Sequence, residues 1–333
     1  MSVQPENKRW IGFSTLASLL LAVGYGVLLR YLFHSEPSGA LMVTLSFAFL
    51  LLGPLAMGAL AVWFAPVAVR TAWRAVIGIG ALACLLWLVV VLLLAWEVAI
   101  CIAMALPIVL PMTILGSVIV GVLTRRGIVR QQFHSFVLGL FLLAPYAVGP
   151  LEQRFPQVTT LQRVETTITI RADAETVWRN IICVPPIQPD EREVRLYHLA
   201  GFPWPEEATM TVEGVGGVRT ARYENGLTFA EPVTAWEPYR TFRFDIQVVE
   251  PEKLPMPWNG IGGPYFDVLY GQFLIEPLRT DEVRLYLIST HRLTTRFNEY
   301  GGLWTRFFLN DFQEYILGVV KTRAEEEYAQ AVQ

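Results

Sequence analysis

Five long apolar runs crowd the first 151 residues and none follows, and this asymmetry limits the chain more than any motif in it. The runs cover residues 10–33, 40–64, 75–96, 98–123 and 133–148, the last continuing to residue 151. A helix rising about 1.5 Å per residue needs roughly 20 such residues to cross a hydrocarbon core of about 30 Å. The first run follows Lys8 and Arg9 and exceeds the ~7 to 15 residues of a signal-peptide core, so it reads as a retained span. Only 17% of the 333 residues are charged, against roughly 25% in an average soluble protein, as membrane spans require.

Cations set the expected topology. Between residues 75 and 123 only Glu97 interrupts the apolar character, while Arg70 and Arg74 precede the stretch and Arg125, Arg126 and Arg130 follow it. Both clusters belong on the cytoplasmic side, which demands an even number of crossings. Two crossings with a tight turn near Glu97 satisfy this, although a re-entrant segment at 98–111 is the alternative. Lys8 and Arg9 are then inside, the linkers around Ser35 and Glu97 outside, and five spans leave the remaining chain outside a plasma membrane of bacterial type. Arg30, near the outer end of the first span, is the exception and is expected to snorkel to the interface. Glu97 with Pro107 and Pro111 has two readings: a functional intramembrane acid on a broken helix, or an interfacial acid at a turn beside a kinked, packed helix. No internal repeat relates the spans, so an inverted-repeat transporter has little support.

Residues 1–151 carry eight Lys or Arg and three acids, a net of +5; residues 152–333 carry eighteen and twenty-six, a net of −8. An acidic soluble half repels nucleic acid. Cys84 and Cys101 sit in apolar segments and Cys183 alone in the soluble half, so no disulfide framework can be drawn. His34, His134, His198 and His291 are scattered, which argues against a metal cluster, and no cofactor motif is present.

Beyond residue 151 the periodicity changes. Val164, Thr166, Ile168 and Ile170 alternate on one face of a strand. Asp173 and Glu175 then open a short helix with Val177, Trp178, Ile181 and Ile182 inside. A second short helix and a loop ending in Pro203-Trp204-Pro205 lead into regular strands. Residues 208–212 and 218–223 flank Glu213-Gly214-Val215-Gly216-Gly217, a hairpin turn, because a phosphate loop needs a following helix N-terminus. Residues 227–236 pair with 240–249, and 268–278 with 283–291. Gly301-Gly302 opens a long helix bearing Trp304, Phe308, Phe312, Tyr315, Ile316, Val319 and Val320 at helical spacing.

The strand followed by Ala172-Asp173-Ala174-Glu175-Thr176-Val177-Trp178 resembles the opening of the START-like superfamily, also called SRPBCC, of polyketide cyclase/dehydrase and lipid-transport proteins. The element order resembles that superfamily's helix-grip fold over residues 160–328. The resemblance implies an α+β domain in which a bent antiparallel sheet closes over a long C-terminal helix, attached to an all-α bundle of five transmembrane helices in residues 1–151. Such a sheet and helix leave a hydrophobic space between them. Glu213 to Thr220, EGVGGVRT, resembles the glycine-rich loop of the plant pollen-allergen branch but departs from it at Arg219, where a further glycine is usual.

Alternation puts Glu231 on the apolar face with Phe229 and Val233, and Ser289 and His291 on the apolar face of residues 283–291. Phe244 belongs to a dry face, and Trp304, Phe308 and Asp311 to the long helix. These eight are the candidate ligand-binding residues, with Trp204 and Trp258 either at a cavity mouth or membrane interface together with Leu254, Met256, Ile261, Tyr265 and Phe266, or else among loop aromatics that pack on one another. Polar groups on dry faces need partners. Glu231, His291 and Asp311 either meet a ligand's polar end or act as acid and base, or else sit at element ends satisfied by water or backbone. The resemblance implies a lipid or other hydrophobic small molecule as partner, bound by an outward-facing domain and passed to or from the membrane. Two other classes stay open: a cyclase/dehydrase-like enzyme using Glu231 and His291, and a sensor signalling through the spans. No triad or nucleophile elbow supplies identifiable catalytic residues.

Overall fold

The structure is a computed structural model that describes residues 8–34, 46–97, 99–127, 134–254 and 260–332. It divides into two compact units, Met1–Gln157 and Val158–Gln333. The first is helical: α1 (Lys8–His34), α2 (Ala48–Trp63), α3 (Val67–Arg70), α4 (Trp73–Leu93), α5 (Ala99–Arg125) and α6 (His134–Glu152). Gly12–Phe33, Trp73–Leu93 and Ala99–Arg125 are long and apolar enough to cross a membrane. Of the five expected spans three reach that length among the described residues, while Ala48–Trp63 and Phe136–Glu152 are apolar but shorter. The start of α2, Ala48–Leu52, is wound as a wider π turn, which advances less per residue than an α-helix. Residues 40–45 and 133, parts of the second and fifth expected runs, lie outside the described residues.

The helices alternate in direction. One end of the bundle gathers the start of α1 and the end of α2, where Ser14 Oγ donates to Phe64 O at 2.8 Å, together with the start of α4 and the end of α5, where the Arg125 guanidinium lies 3.8 Å over the Trp73 ring. Arg70, Arg74, Arg125 and Arg126 fall at this end. At the other end Glu152 closes α6 and accepts from Phe47 N and Ala48 N, both at 3.0 Å, so its carboxylate meets the electropositive start of α2. Helix α5 runs unbroken through Pro107 and Pro111, which decides against a re-entrant segment at 98–111. Its closeness to α2 depends on Gly58 and Gly116: a Cβ on the first would stand 1.8 Å from Thr113 O, and on the second 1.9 Å from Leu55 O.

Arg30 reaches the α4–α5 turn. It is 3% exposed, its Nε donates to Glu97 Oε1 at 2.8 Å, and an Nη donates to Trp96 O at 3.1 Å. Glu97 stands at the α4–α5 turn at the same end as the last turn of α1, which supplies the Arg30 guanidinium with a carboxylate.

The second unit wraps one antiparallel sheet around one helix. Its strands are β1 (Thr159–Ile170), β2 (Pro205–Met210), β3 (Val218–Tyr223), β4 (Thr228–Glu237), β5 (Thr241–Asp245), β6 (Gln247–Val248), β7 (Phe266–Arg279) and β8 (Glu282–Thr294). They lie in the order β1-β8-β7-β5-β4-β3-β2, with β6 on β4. Helix α7 (Ala174–Ile182) is capped by Asp173, whose Oδ1 accepts from Thr176 N at 2.7 Å, and it buries Val177, Trp178, Ile181 and Ile182. After it come the one-turn α8 (Leu196–Leu199) and the long C-terminal α9 (Asn298–Val332). Helix α9 begins one turn before Gly301-Gly302 because Asn298 Oδ1 accepts from Thr295 N at 2.7 Å and fixes the turn there. Curled sheet and C-terminal helix together have the form of a helix-grip fold.

The main core lies against the C-terminal half of α9. Ile170, Trp178, Ile181, Phe242, Phe273 and Leu285 pack with Leu317, Val320 and Ala324 from the C-terminal half of α9. Its N-terminal half instead presents Trp304, Phe308 and Phe312 half-buried and Leu303 and Phe307 exposed. The first half of α9 therefore carries an aromatic strip.

Candidate functional site

Strands β3 and β4 pair so that Arg219 stands directly opposite Glu231. Two-residue alternation carries Glu231 to the same face as Val233, which packs in the core under α9, and Arg219 to the same face as Ala221 and Tyr223. Both charged residues are buried, Glu231 6% and Arg219 7% exposed, and an Arg219 Nη donates to Glu231 Oε2. The guanidinium carbon lies 5.6 Å from the Phe244 ring centre. Room for that ring comes from Gly271 on β7, where a Cβ would stand 2.6 Å from Phe244 Cζ. Arg219 Nε, also buried, has no hydrogen-bond partner. Burial pushes the Glu231 carboxyl above the ordinary carboxylate range, against the pull of Arg219. Burial likewise raises the nearby Tyr223 phenol, and the Glu231 charge adds to the effect.

The pairing was missed in the sequence because Arg219 stood out there as a departure from a glycine-rich loop. The available signal was its alternation with Ala221 and Tyr223, which marks an inward position. The loop itself is the expected hairpin turn, with positive φ at Gly214 (107°) and Gly216 (91°).

The polar residues of β8 are taken up by α9. Gln313 Nε2 donates to Ser289 Oγ at 2.9 Å, and Thr166 Oγ1 on β1 donates to Gln313 Oε1 at 2.7 Å. His291 is wholly buried, its Nε2 lies 2.9 Å from Thr305 Oγ1, and burial, aided by Arg306, pulls its imidazole down to about 4. Three strand steps separate β8 from β4 in the sheet, roughly 14 Å at the usual strand spacing. An acid–base couple of Glu231 with His291 is therefore not assembled, each having its own partner nearby.

Asp311 anchors α8: its Oδ2 accepts from Tyr197 N at 2.8 Å. Trp304 stacks on Phe308 with centres 5.9 Å apart, and Phe308 lies 5.8 Å from Phe202. Trp204 stacks on His198 at 3.4 Å in an aromatic cluster with Tyr315 at 5.9 Å, rather than standing free at a mouth. Trp258 and Met256 lie outside the described residues. Phe229 packs edge-on to Tyr223 at 5.4 Å in a cluster with Leu227 and Leu254, and Tyr223 in turn lies 6.2 Å from Phe312 of α9. Glu231, Phe229 and Phe244 thus fall on the β3–β4–β5 side with Arg219, and Ser289 and His291 fall on the β1–β8 side. Trp304, Phe308 and Asp311 lie along the first half of α9.

No protein-family model matches the chain, and no curated protein matches it either. Solved structures do. An aromatase/cyclase, ZhuI, from Streptomyces sp. R1128 is 18% identical, with 52% of this chain and 97% of that chain covered and a TM-score of 0.31. A START superfamily protein from Mycobacterium smegmatis is 14% identical, covering 49% and 97% at a TM-score of 0.33. A norcoclaurine synthase point mutant from Thalictrum flavum, in complex with a transition-state analogue, is 10% identical, covering 51% and 98% at 0.33.

Proposed function

We propose that this is an integral membrane protein whose apolar helices anchor a C-terminal domain that binds a lipid or another apolar molecule bearing a polar end. The buried Arg219–Glu231 pair carries the reading. Two desolvated charges are a poor source of stability, since an apolar pair of similar volume often serves as well or better. Set on the helix-facing side of the sheet and beside the half-buried Tyr223 and Phe229, the pair supplies a polar anchor within apolar surroundings, the composition of a ligand site. Anchoring in a membrane fits a ligand taken from or delivered to the bilayer. Clustering of Arg70, Arg74, Arg125 and Arg126 at one end of the alternating helices supports a cytoplasmic placement of that end, five crossings and an extracytoplasmic domain. The short α2 and α6 are accommodated by modest local thinning of the bilayer.

Mass spectrometry of organic extracts from protein purified in mild detergent tests the proposal. A stoichiometric apolar compound is expected in the parent and absent from folded Arg219→Met/Glu231→Leu. Empty protein across detergent and nanodisc preparations overturns the reading.

A further inference from the structure

A second set of polar atoms lies without partners between α8 and α9. Tyr197 and Tyr315 are each 2% exposed, and their ring centres are 6.0 Å apart. The His198 ring lies 3.8 Å from Tyr197 and meets Tyr315 edge-on at 5.3 Å. Tyr197 Oη, Tyr315 Oη and His198 Nε2 are all buried and none has a hydrogen-bond partner. Buried polar groups in folded proteins are nearly always satisfied, so three orphans in one aromatic cluster call for an explanation.

Their chemistry is one-sided. Arg195 N donates to His198 Nδ1 at 3.1 Å, so the neutral imidazole carries its proton on Nε2 and presents a donor there. Burial holds that imidazole near 4, with Asp311 and Glu224 opposing, and it also raises both phenols, which keep their protons. The cluster therefore offers three donors. Neighbouring acceptors are engaged elsewhere: Asp311 by Tyr197 N, and Glu224 by Arg192 at 2.8 Å. Arg192 and Arg195 are paired with carboxylates through their Nη atoms, which balances their charge, although the buried Nε of each also lacks a partner. Phe202, Phe312 and Trp204 supply apolar walls.

We propose that Tyr197, His198 and Tyr315 form a binding site for the uncharged carbonyl oxygen of an apolar ligand, such as a ketone or ester. This rests on the reading that the domain holds an apolar molecule, and adds that the molecule carries a neutral acceptor besides the group that meets Arg219 and Glu231. A carboxylate is disfavoured because Arg192 and Arg195 are already charge-paired and leave it no unpaired cation to meet.

The test uses the full chain in nanodiscs with acetylnaphthalene and its isostere isopropenylnaphthalene, in which a methylene replaces the carbonyl oxygen, each corrected for partition into empty nanodiscs. The ketone should bind about 5- to 10-fold more tightly per engaged hydroxyl, and its carbonyl stretching band should move to lower frequency. Tyr197→Phe/Tyr315→Phe removes only the hydroxyls and should cut the preference to what His198 alone supplies, while leaving the alkene's affinity unchanged. Should that variant fail to fold, the carbonyl band in the parent still decides. Equal binding of the two probes, an unshifted band, an undiminished preference in the folded double variant, or no binding of either probe overturns the site. Tighter binding of naphthoate than of the ketone overturns the choice of a neutral acceptor. None of these results touches the apolar-ligand reading, which the extraction experiment decides separately.

Discussion

Replacing Glu231 by Gln keeps the side-chain shape and removes the charge that Arg219 faces. Arg219 is 7% exposed and its buried Nε already lacks a partner, so solvent cannot substitute for the lost carboxylate. Breaking a buried pair on one side costs about 3–5 kcal/mol. In a domain the size of Val158–Gln333, each kcal/mol moves the midpoint by roughly 2–4 °C, so a fall of about 6–20 °C is expected. Arg219→Met/Glu231→Leu removes both charges and should melt at or above the parent, since apolar replacement of a buried pair is often neutral or stabilising by ~1–4 kcal/mol. Limited proteolysis of the full chain over a temperature series, with fragments assigned by mass, reads the C-terminal unit separately from the helical one. The reasoning fails if Glu231→Gln melts within about 2 °C of the parent, below what one kcal/mol would produce. It fails equally if the double variant is as labile as the single one. Should the double variant fold and keep its co-purifying ligand, the pair is not the anchor.

His291 gives a pH dependence. Its imidazole titrates near 4 in the fold and near 6.5 when free, so between these values the unfolded chain takes up a proton that the folded chain refuses. Stability should therefore fall as pH drops from about 6.5 to about 4, with a ceiling of roughly 3 kcal/mol, and His291→Gln should flatten part of that slope in urea midpoints at pH 7 and 4.5. A parent with no slope there contradicts the burial argument. Glu97→Gln strands Arg30, and because Glu97 is partly exposed the expected loss is about 1–3 kcal/mol, seen as a lower aggregation temperature in detergent; Arg30→Met/Glu97→Leu should recover it. Cys183 is exposed, so in a Cys84→Ala/Cys101→Ala background a membrane-impermeant maleimide added to intact cells should label it; labelling only after lysis refutes the outward topology.

Much of the second unit was legible because alternation and capping are local. Val164, Thr166 and Ile170 are buried on one face, Asp173 caps the helix it precedes, and Glu231 shares the buried face with Val233. Partners were not legible, since they depend on register. Arg219 meets Glu231 only because the tight connection at residues 224–227, closed by Tyr223 N donating to Leu227 O at 2.8 Å, sets which residues of β3 and β4 stand opposite, and Arg30 meets Glu97 only because α1 and the α4–α5 turn end at the same height. One-turn helices such as Leu196–Leu199 are too short to show a period, so Tyr197 and His198 gave no signal as a cluster.

Hydrogen-bond accounting separates two kinds of polar residue that alternation alone could not distinguish. Ser289, Thr166 and Gln313 satisfy one another across β1, β8 and α9, His291 meets Thr305, and Asp311 holds α8. These contacts fasten the long helix against the sheet and the short helix against the long one, so loss of any of them should act first on stability. Arg219 Nε, Tyr197 Oη, Tyr315 Oη and His198 Nε2 are buried with nothing to bond. All four lie on the β3–β4 and α8 side, near the aromatic half of α9, where Tyr223 and Phe312 bring the two groups toward each other. Buried atoms without partners also occur elsewhere in this unit, at Gln162 Oε1, Arg243 Nε, His291 Nδ1 and Arg292 Nε, so what sets these four apart is their place beside the aromatic half of α9, where a ligand with two polar points along an apolar body would meet both sets.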